Sequence, residues 1–93
     1  MTTEELKRKI IPVLRRHGVV HAAIFGSFAR GTPEEGSDLD MVIEFEGEKS
    51  LLDLIALRLE LEELLGREID LLTYRALHPR IRQRVLQEQV AIL

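Results

Sequence analysis

Residues 37–45 read Ser-Asp-Leu-Asp-Met-Val-Ile-Glu-Phe, and the alternation in this stretch decides the fold. In an extended chain successive side chains point to opposite faces. Leu39, Met41, Ile43 and Phe45 therefore share one face, while Asp38, Asp40, Val42 and Glu44 share the other. The pattern predicts a strand over Asp38–Phe45 with one apolar and one polar face. Asp38 and Asp40 then project together, roughly 7 Å apart in Cα position at the usual strand rise. Two carboxylates that close repel each other unless a cation neutralises them. Oxygen-only donors favour Mg²⁺, with Mn²⁺ as the alternative.

Working outward, Val19–Phe25 (VVHAAIF) is a short apolar run with β-branched residues that ends at Gly26-Ser27, so it reads as a buried strand opening into a loop. Glycine lets the backbone approach a phosphate oxygen, and Ser27 offers a hydroxyl and an N–H at an expected helix N-terminus. The pair is a candidate anion seat. Arg30, three residues on, is placed either to contact phosphates or to bridge to an acidic neighbour. Downstream, residues 67–73 (REIDLLT) form a third expected strand in which Asp70 points away from Ile69 and Leu71. If that strand neighbours the first, Asp70 completes a three-carboxylate cradle of the kind that holds two metals for in-line displacement at phosphorus.

Between and around the strands lie three expected helices. Thr3, Glu4 and Glu5 open an amphipathic segment carrying Leu6, Ile10, Val13 and Leu14, with Arg15, Arg16 and Gly18 at its end. Residues 50–65 form the second, with Ser50 as N-cap and Gly66 as the stop. Its leucines spread over more than one stripe, which implies a second buried face and leaves Arg58, Glu60, Glu62 and Glu63 for water. Pro79 starts a last helix to about Glu88, and residues 90–93 form a brief terminal strand.

Ninety-three residues that are 45% hydrophobic and 31% charged are expected to form one small α/β domain over residues 1–93. Aromatic residues make up only 4%, so aliphatic side chains must fill the core, and with no cysteine neither a disulfide framework nor a Cys-ligated zinc site arises. The formal charge of −3 disfavours a module whose main work is gripping DNA or RNA, and no direct DNA binding is expected. Neither a signal peptide nor a membrane-spanning run is visible, so a cytoplasmic location is expected. Arg75, Arg80, Arg82 and Arg84 read first as a solvated helix face, and His17, His21 and His78 as structural residues.

Taken together, Gly26-Ser27-Phe28-Ala29-Arg30-Gly31, Ser37-Asp38-Leu39-Asp40 and Ile69-Asp70-Leu71 resemble the signature of the DNA polymerase β-like nucleotidyltransferases. The short chain and its wording are most similar to the minimal nucleotidyltransferases that pair with HEPN-domain partners in prokaryotic toxin–antitoxin modules. The resemblance implies the polymerase β-like fold, a small mixed sheet with helices mainly on one face. It implies Asp38, Asp40 and Asp70 as catalytic metal ligands for two Mg²⁺ ions, and Gly26, Ser27 and Arg30 as the nucleotide-binding set. It further implies transfer of AMP from ATP, or of a monophosphate from another NTP, to a tyrosine hydroxyl of a helical HEPN toxin. Larger relatives carry an extra domain for the acceptor; here a partner chain is expected to supply it, in a hetero- or homo-oligomer. Two rival readings stand beside this one: an antitoxin that masks its partner sterically without catalysis, and a small-molecule nucleotidyltransferase subunit of the antibiotic-modifying type.

Overall fold

The structure, a computed structural model, describes residues 2–26 and 39–93. In chain order these form α1 (Thr3–Arg16), β1 (Val19–Phe25), β2 (Leu39–Phe45), α2 (Leu51–Leu65), β3 (Ile69–Thr73), a 3₁₀ turn (Tyr74–Ala76), α3 (Pro79–Glu88) and β4 (Val90–Ala91). The four strands make one mixed sheet in the order β3-β2-β1-β4. β1 runs antiparallel to both β2 and β4, whereas β2 and β3 are parallel, joined by α2 as their crossover.

Helices α1 and α2 cover one face of the sheet. Leu6, Ile10 and Leu14 of α1 and Leu57 and Leu61 of α2 are fully buried against Ile24, Leu39, Met41 and Ile43. Each such leucine removed from water contributes about 1.5–3 kcal/mol, the term that lets so short a chain hold a core without aromatics. The opposite face carries a smaller cluster, in which Ala23 and Val42 pack with Leu77 and with Val85 of α3. Val42 was expected on a polar face, but it is fully buried. The face of β2 that bears Asp40 is thus polar only at its ends, because α3 closes over the middle.

Helix starts follow local chemistry. The Thr2 hydroxyl accepts the Glu5 N–H at 3.1 Å, capping α1. At α2 the Ser50 hydroxyl accepts the Asp53 N–H while the Asp53 carboxylate accepts the Ser50 N–H, a reciprocal box. The Ser50 backbone N–H foremost, then the Ser50 hydroxyl donating to the same carboxylate oxygen at 3.0 Å, hold the Asp53 carboxyl below its ordinary value. The His78 Nδ1 accepts the Arg80 N–H at the start of α3, which gives that histidine a structural role.

Two expectations for α2 are corrected. No second face of the helix is buried among the described residues: Leu51, Leu52, Leu59 and Leu64 are exposed, Leu52 to 76%. Leu52, Ile55, Ala56 and Leu59, spaced i, i+3, i+4 and i+7, line the side turned away from the core. Nor are Glu60 and Glu62 left for water. Glu62 accepts a backbone N–H of β3. Glu60 takes both Arg16 and His17 at the end of α1, with His17 Nε2 at 3.0 Å from Oε1.

The bond from His17, followed by Arg16, outweighs desolvation and holds the Glu60 carboxyl below its ordinary value of 4.5. A carboxyl depressed on folding adds stability that is present above its unfolded pKa and lost as pH falls through its folded one. Glu60→Gln is therefore expected to lower the thermal midpoint at pH 7. The difference from wild type should shrink once the pH drops below about 4.5, as thermal melts across an acid series would show.

Candidate active site

The register of the sheet brings Gly26, Asp40 and Asp70, three of the predicted residues, together. β2 lies between β3 and β1; Asp40 pairs with Asp70 on the parallel side and with Phe25 on the antiparallel side. Residues in register share a face, and neighbouring strands lie about 4.8 Å apart, so the Asp40 and Asp70 carboxylates stand side by side. Phe25 is followed by Gly26, whose φ is +72°. A Cβ at Gly26 would meet the Asp40 Oδ2 at less than the 3.0 Å that real Cβ atoms keep. Gly26, Asp40 and Asp70 therefore converge at one end of the sheet, contributed by three different strands or strand ends.

Asp40 is half-buried and Asp70 exposed. Beside Asp70 a hollow of about 450 Å³ is lined by Arg58, Glu62, Glu68 and Ile69. Ser27, Arg30 and Asp38 lie outside the described residues. Among the described residues no three of His, Cys, Asp and Glu gather as a metal site, so a full cradle requires Asp38, two positions before Asp40. What is present fits a hard divalent cation: the two neighbouring donors are carboxylates, and the space against Oδ2 is one that any side chain at position 26 would fill.

Other candidates fall away from this end. His21 and Glu44 stand 3.9 Å apart on exposed side chains, and neither joins Asp40. A larger hollow of about 850 Å³ lies past the far ends of β2 and β3, lined by Phe45, Lys49, Thr73 and Tyr74 among others. From Asp40 it is roughly 10 Å or more away along the strand, so size alone does not mark the chemistry. Burial, then the charge of Glu44, pushes the Tyr74 phenol above 10.0, and its hydroxyl donates to Gln89 Oε1 at 2.7 Å. Of the basic set, Arg82 donates to the Tyr74 carbonyl and Arg84 pairs with Glu88, both at the surface.

Residues 7–92 match the nucleotidyltransferase domain family. The chain belongs to that family. Over its whole length it is 54% identical to the whole of a Methanocaldococcus jannaschii protein provisionally named a protein adenylyltransferase. It is 42% identical over 77 residues to the protein adenylyltransferase MntA of Thermococcus cleftensis, covering 83% of this chain and 78% of that protein. A solved structure provisionally described as a minimal nucleotidyltransferase superposes with a TM-score of 0.84 at 42% identity, over 97% of this chain and 95% of that one. The same fold, at 19% identity and a TM-score of 0.78, is found in a complex of tri-AMPylated Shewanella oneidensis HEPN toxin with MNT antitoxin, over 99% of this chain and 72% of that one. The polymerase β-like nucleotidyltransferase fold expected from the motif is thus the fold observed.

One residue close to Asp70 lies outside the motif. Glu62 sits on α2, seven positions before Ile69, and its carboxylate reaches the strand that carries Asp70. In sequence it looks like any acidic residue on an exposed helix face.

Proposed function

We propose that this nucleotidyltransferase domain transfers AMP from ATP to a tyrosine hydroxyl of a helical HEPN-domain toxin and thereby acts as its antitoxin. The observation that carries the reading is the register that sets Asp40 beside Asp70 with Gly26 against the Asp40 oxygen. The relative from Thermococcus cleftensis supports it, because it is named a protein adenylyltransferase and bears the name MntA. The name MntA also stands in the description of a solved toxin–antitoxin complex, MntA-HepT, a chain of which shares this fold.

In the transfer, the acceptor oxygen forms a bond to the α-phosphorus as the bond to the bridging oxygen of the β-phosphate breaks. Pyrophosphate leaves, and the hydroxyl proton passes to solvent. A pair of Mg²⁺ ions held by Asp38, Asp40 and Asp70 would supply charge neutralisation on the triphosphate and acidify the acceptor hydroxyl. Asp70, exposed on the edge strand, faces the side from which an acceptor chain can arrive. Gly26 puts no side chain against the Asp40 oxygen, and the N–H and hydroxyl of Ser27, with Arg30, would bind the phosphates. With positions fixed by strands, electrostatics does most of the work, which suits a small domain.

The test is incubation of the chain with labelled ATP, Mg²⁺ and the helical protein encoded beside it. Label on a tyrosine of that partner, coupled to loss of the partner's RNase activity, is the expected result. Label on a small molecule only, or neutralisation without label, would overturn it.

The partner is expected to dock on the outward stripe of α2, whose i, i+3, i+4, i+7 spacing matches the ridges of a facing helix. Leu52 and Leu59 are 76% and 55% exposed, so replacing both by Glu should leave the thermal midpoint near wild type. The same double variant should weaken association with the helical partner roughly a hundredfold, measured by calorimetry.

A further inference from the structure

Among the described residues β3 is the outermost strand of the sheet, so one side of its backbone meets no other described strand. The Leu39 N–H donates to the carbonyl of Glu68 at 3.1 Å. In an extended chain the C=O and N–H of one peptide group point to opposite sides, so the N–H of that same group, on Ile69, is turned to the open edge. There α2 supplies the acceptor: Glu62 Oε2 takes the Ile69 N–H at 2.9 Å in a partly buried setting. The Glu68–Ile69 peptide, at the entry to β3 and one residue ahead of Asp70, is thus gripped from both sides, by β2 within the sheet and by a helix side chain outside it.

We infer that Glu62 is a positioning residue for Asp70, holding the start of β3 so that the Asp70 carboxylate stays level with Asp40. Its functional meaning rests on the transfer reaction proposed above. The need for such a hold follows from the local chain. Gly66 ends α2 in the left-handed conformation, only residues 67 and 68 separate it from β3, and β3 itself is five residues long with a single strand neighbour among the described residues. A short edge strand entered from a glycine frays first at its beginning, where Asp70 lies. An ionised acceptor binds a backbone N–H more strongly than a neutral one, and the anchor is rigid because Leu61, next to Glu62, is fully buried. Glu62 also lines the hollow next to Asp70, so its loss would be felt there and not in the core under α1.

The inference is tested with Glu62→Ala and Glu62→Gln in the full chain, because glutamine keeps an acceptor oxygen and drops the charge. Amide hydrogen exchange by NMR reads the strand, and broadening of the Asp40 and Asp70 signals by Mn²⁺ reads the site without any turnover. In Glu62→Ala, exchange at Ile69 and Asp70 is expected to rise about tenfold while Ile10 and Leu14 keep their rates. The Mn²⁺ concentration for half-broadening should rise by a similar factor, and transfer should fall about tenfold at low Mg²⁺ and recover as Mg²⁺ is raised. Glu62→Gln should restore all three to within about threefold of wild type. Unchanged exchange and Mn²⁺ uptake in Glu62→Ala would overturn the inference, as would a glutamine variant as impaired as the alanine one. Should the wild-type chain take up Mn²⁺ but transfer nothing, the functional reading falls, and the exchange and broadening data still decide the role of Glu62.

Discussion

Asp40→Asn is expected to abolish AMP transfer, lowering the rate by about 10³-fold or more, while the folded chain keeps its stability to within about 1 kcal/mol. The side chains are nearly the same size, so the half-buried slot between Gly26 and Asp70 is still filled. What changes is charge. A carboxylate offers a divalent cation a full negative charge, whereas an amide offers one carbonyl dipole, and the difference acts where the triphosphate is most negative. Stability should barely register the loss, because like charges opposed across two strands work against the sheet and the substitution removes one of them.

The same variant separates catalysis from masking. If neutralisation of the partner depends on AMP transfer, Asn at position 40 should bind the partner as wild type does and leave its RNase active. A variant that still silences the partner with no label attached would mean that occupancy of a surface, not chemistry, is the biological act. Asp70→Asn tests the geometric half of the claim, since position 70 enters the site only through strand register. Transfer that survives Asp70→Asn at wild-type rate would show that the parallel pairing of Asp40 with Asp70 has no chemical consequence.

Much of this was legible in sequence because the decisive signals are local. The apolar run 19–25 gives a strand whose ends agree with those observed, the period-2 alternation of residues 38–45 gives one that ends at Phe45 as observed while its expected start at Asp38 lies outside the described residues, and Pro79 and Gly66 mark helix boundaries where the structure places them. The pairing of Asp40 with Asp70 is long-range, but a strand–helix–strand unit tends to make its two strands parallel neighbours, so it could be anticipated. Three things could not. Val42 is buried because α3 folds back over that face, and nothing in residues 39–45 announces it. The leucines of α2 count as core by composition, yet a helix lying on one face of a sheet buries one side only, so Leu52 and Leu59 stay outside. Glu60 and Glu62 look like solvated charges, and only the placement of α2 against the end of α1 and the start of β3 gives them partners. The third part of the site, Asp38 with Ser27 and Arg30, rests on the motif alone.

Gly26→Ala is expected to cost about 10²-fold in transfer and about 1–2 kcal/mol in stability, for two separable reasons. At φ +72° any Cβ strains the backbone, which accounts for the stability loss. The added methyl also overlaps the Asp40 Oδ2, so the carboxylate must rotate off the position that faces Asp70, and a displacement near 1 Å in a reacting assembly is enough for a hundredfold effect. Gly47→Ala isolates the first effect from the second. Gly47 has φ +70° and nothing within 4 Å of the Cβ it would carry, so it shares the backbone strain without the collision. The two variants should therefore lose similar thermal stability, by circular dichroism melts, while only the alanine at 26 loses transfer and Mn²⁺ uptake. Equal loss of transfer in both would mean that general destabilisation, rather than the space kept open against Asp40, is what the glycine protects.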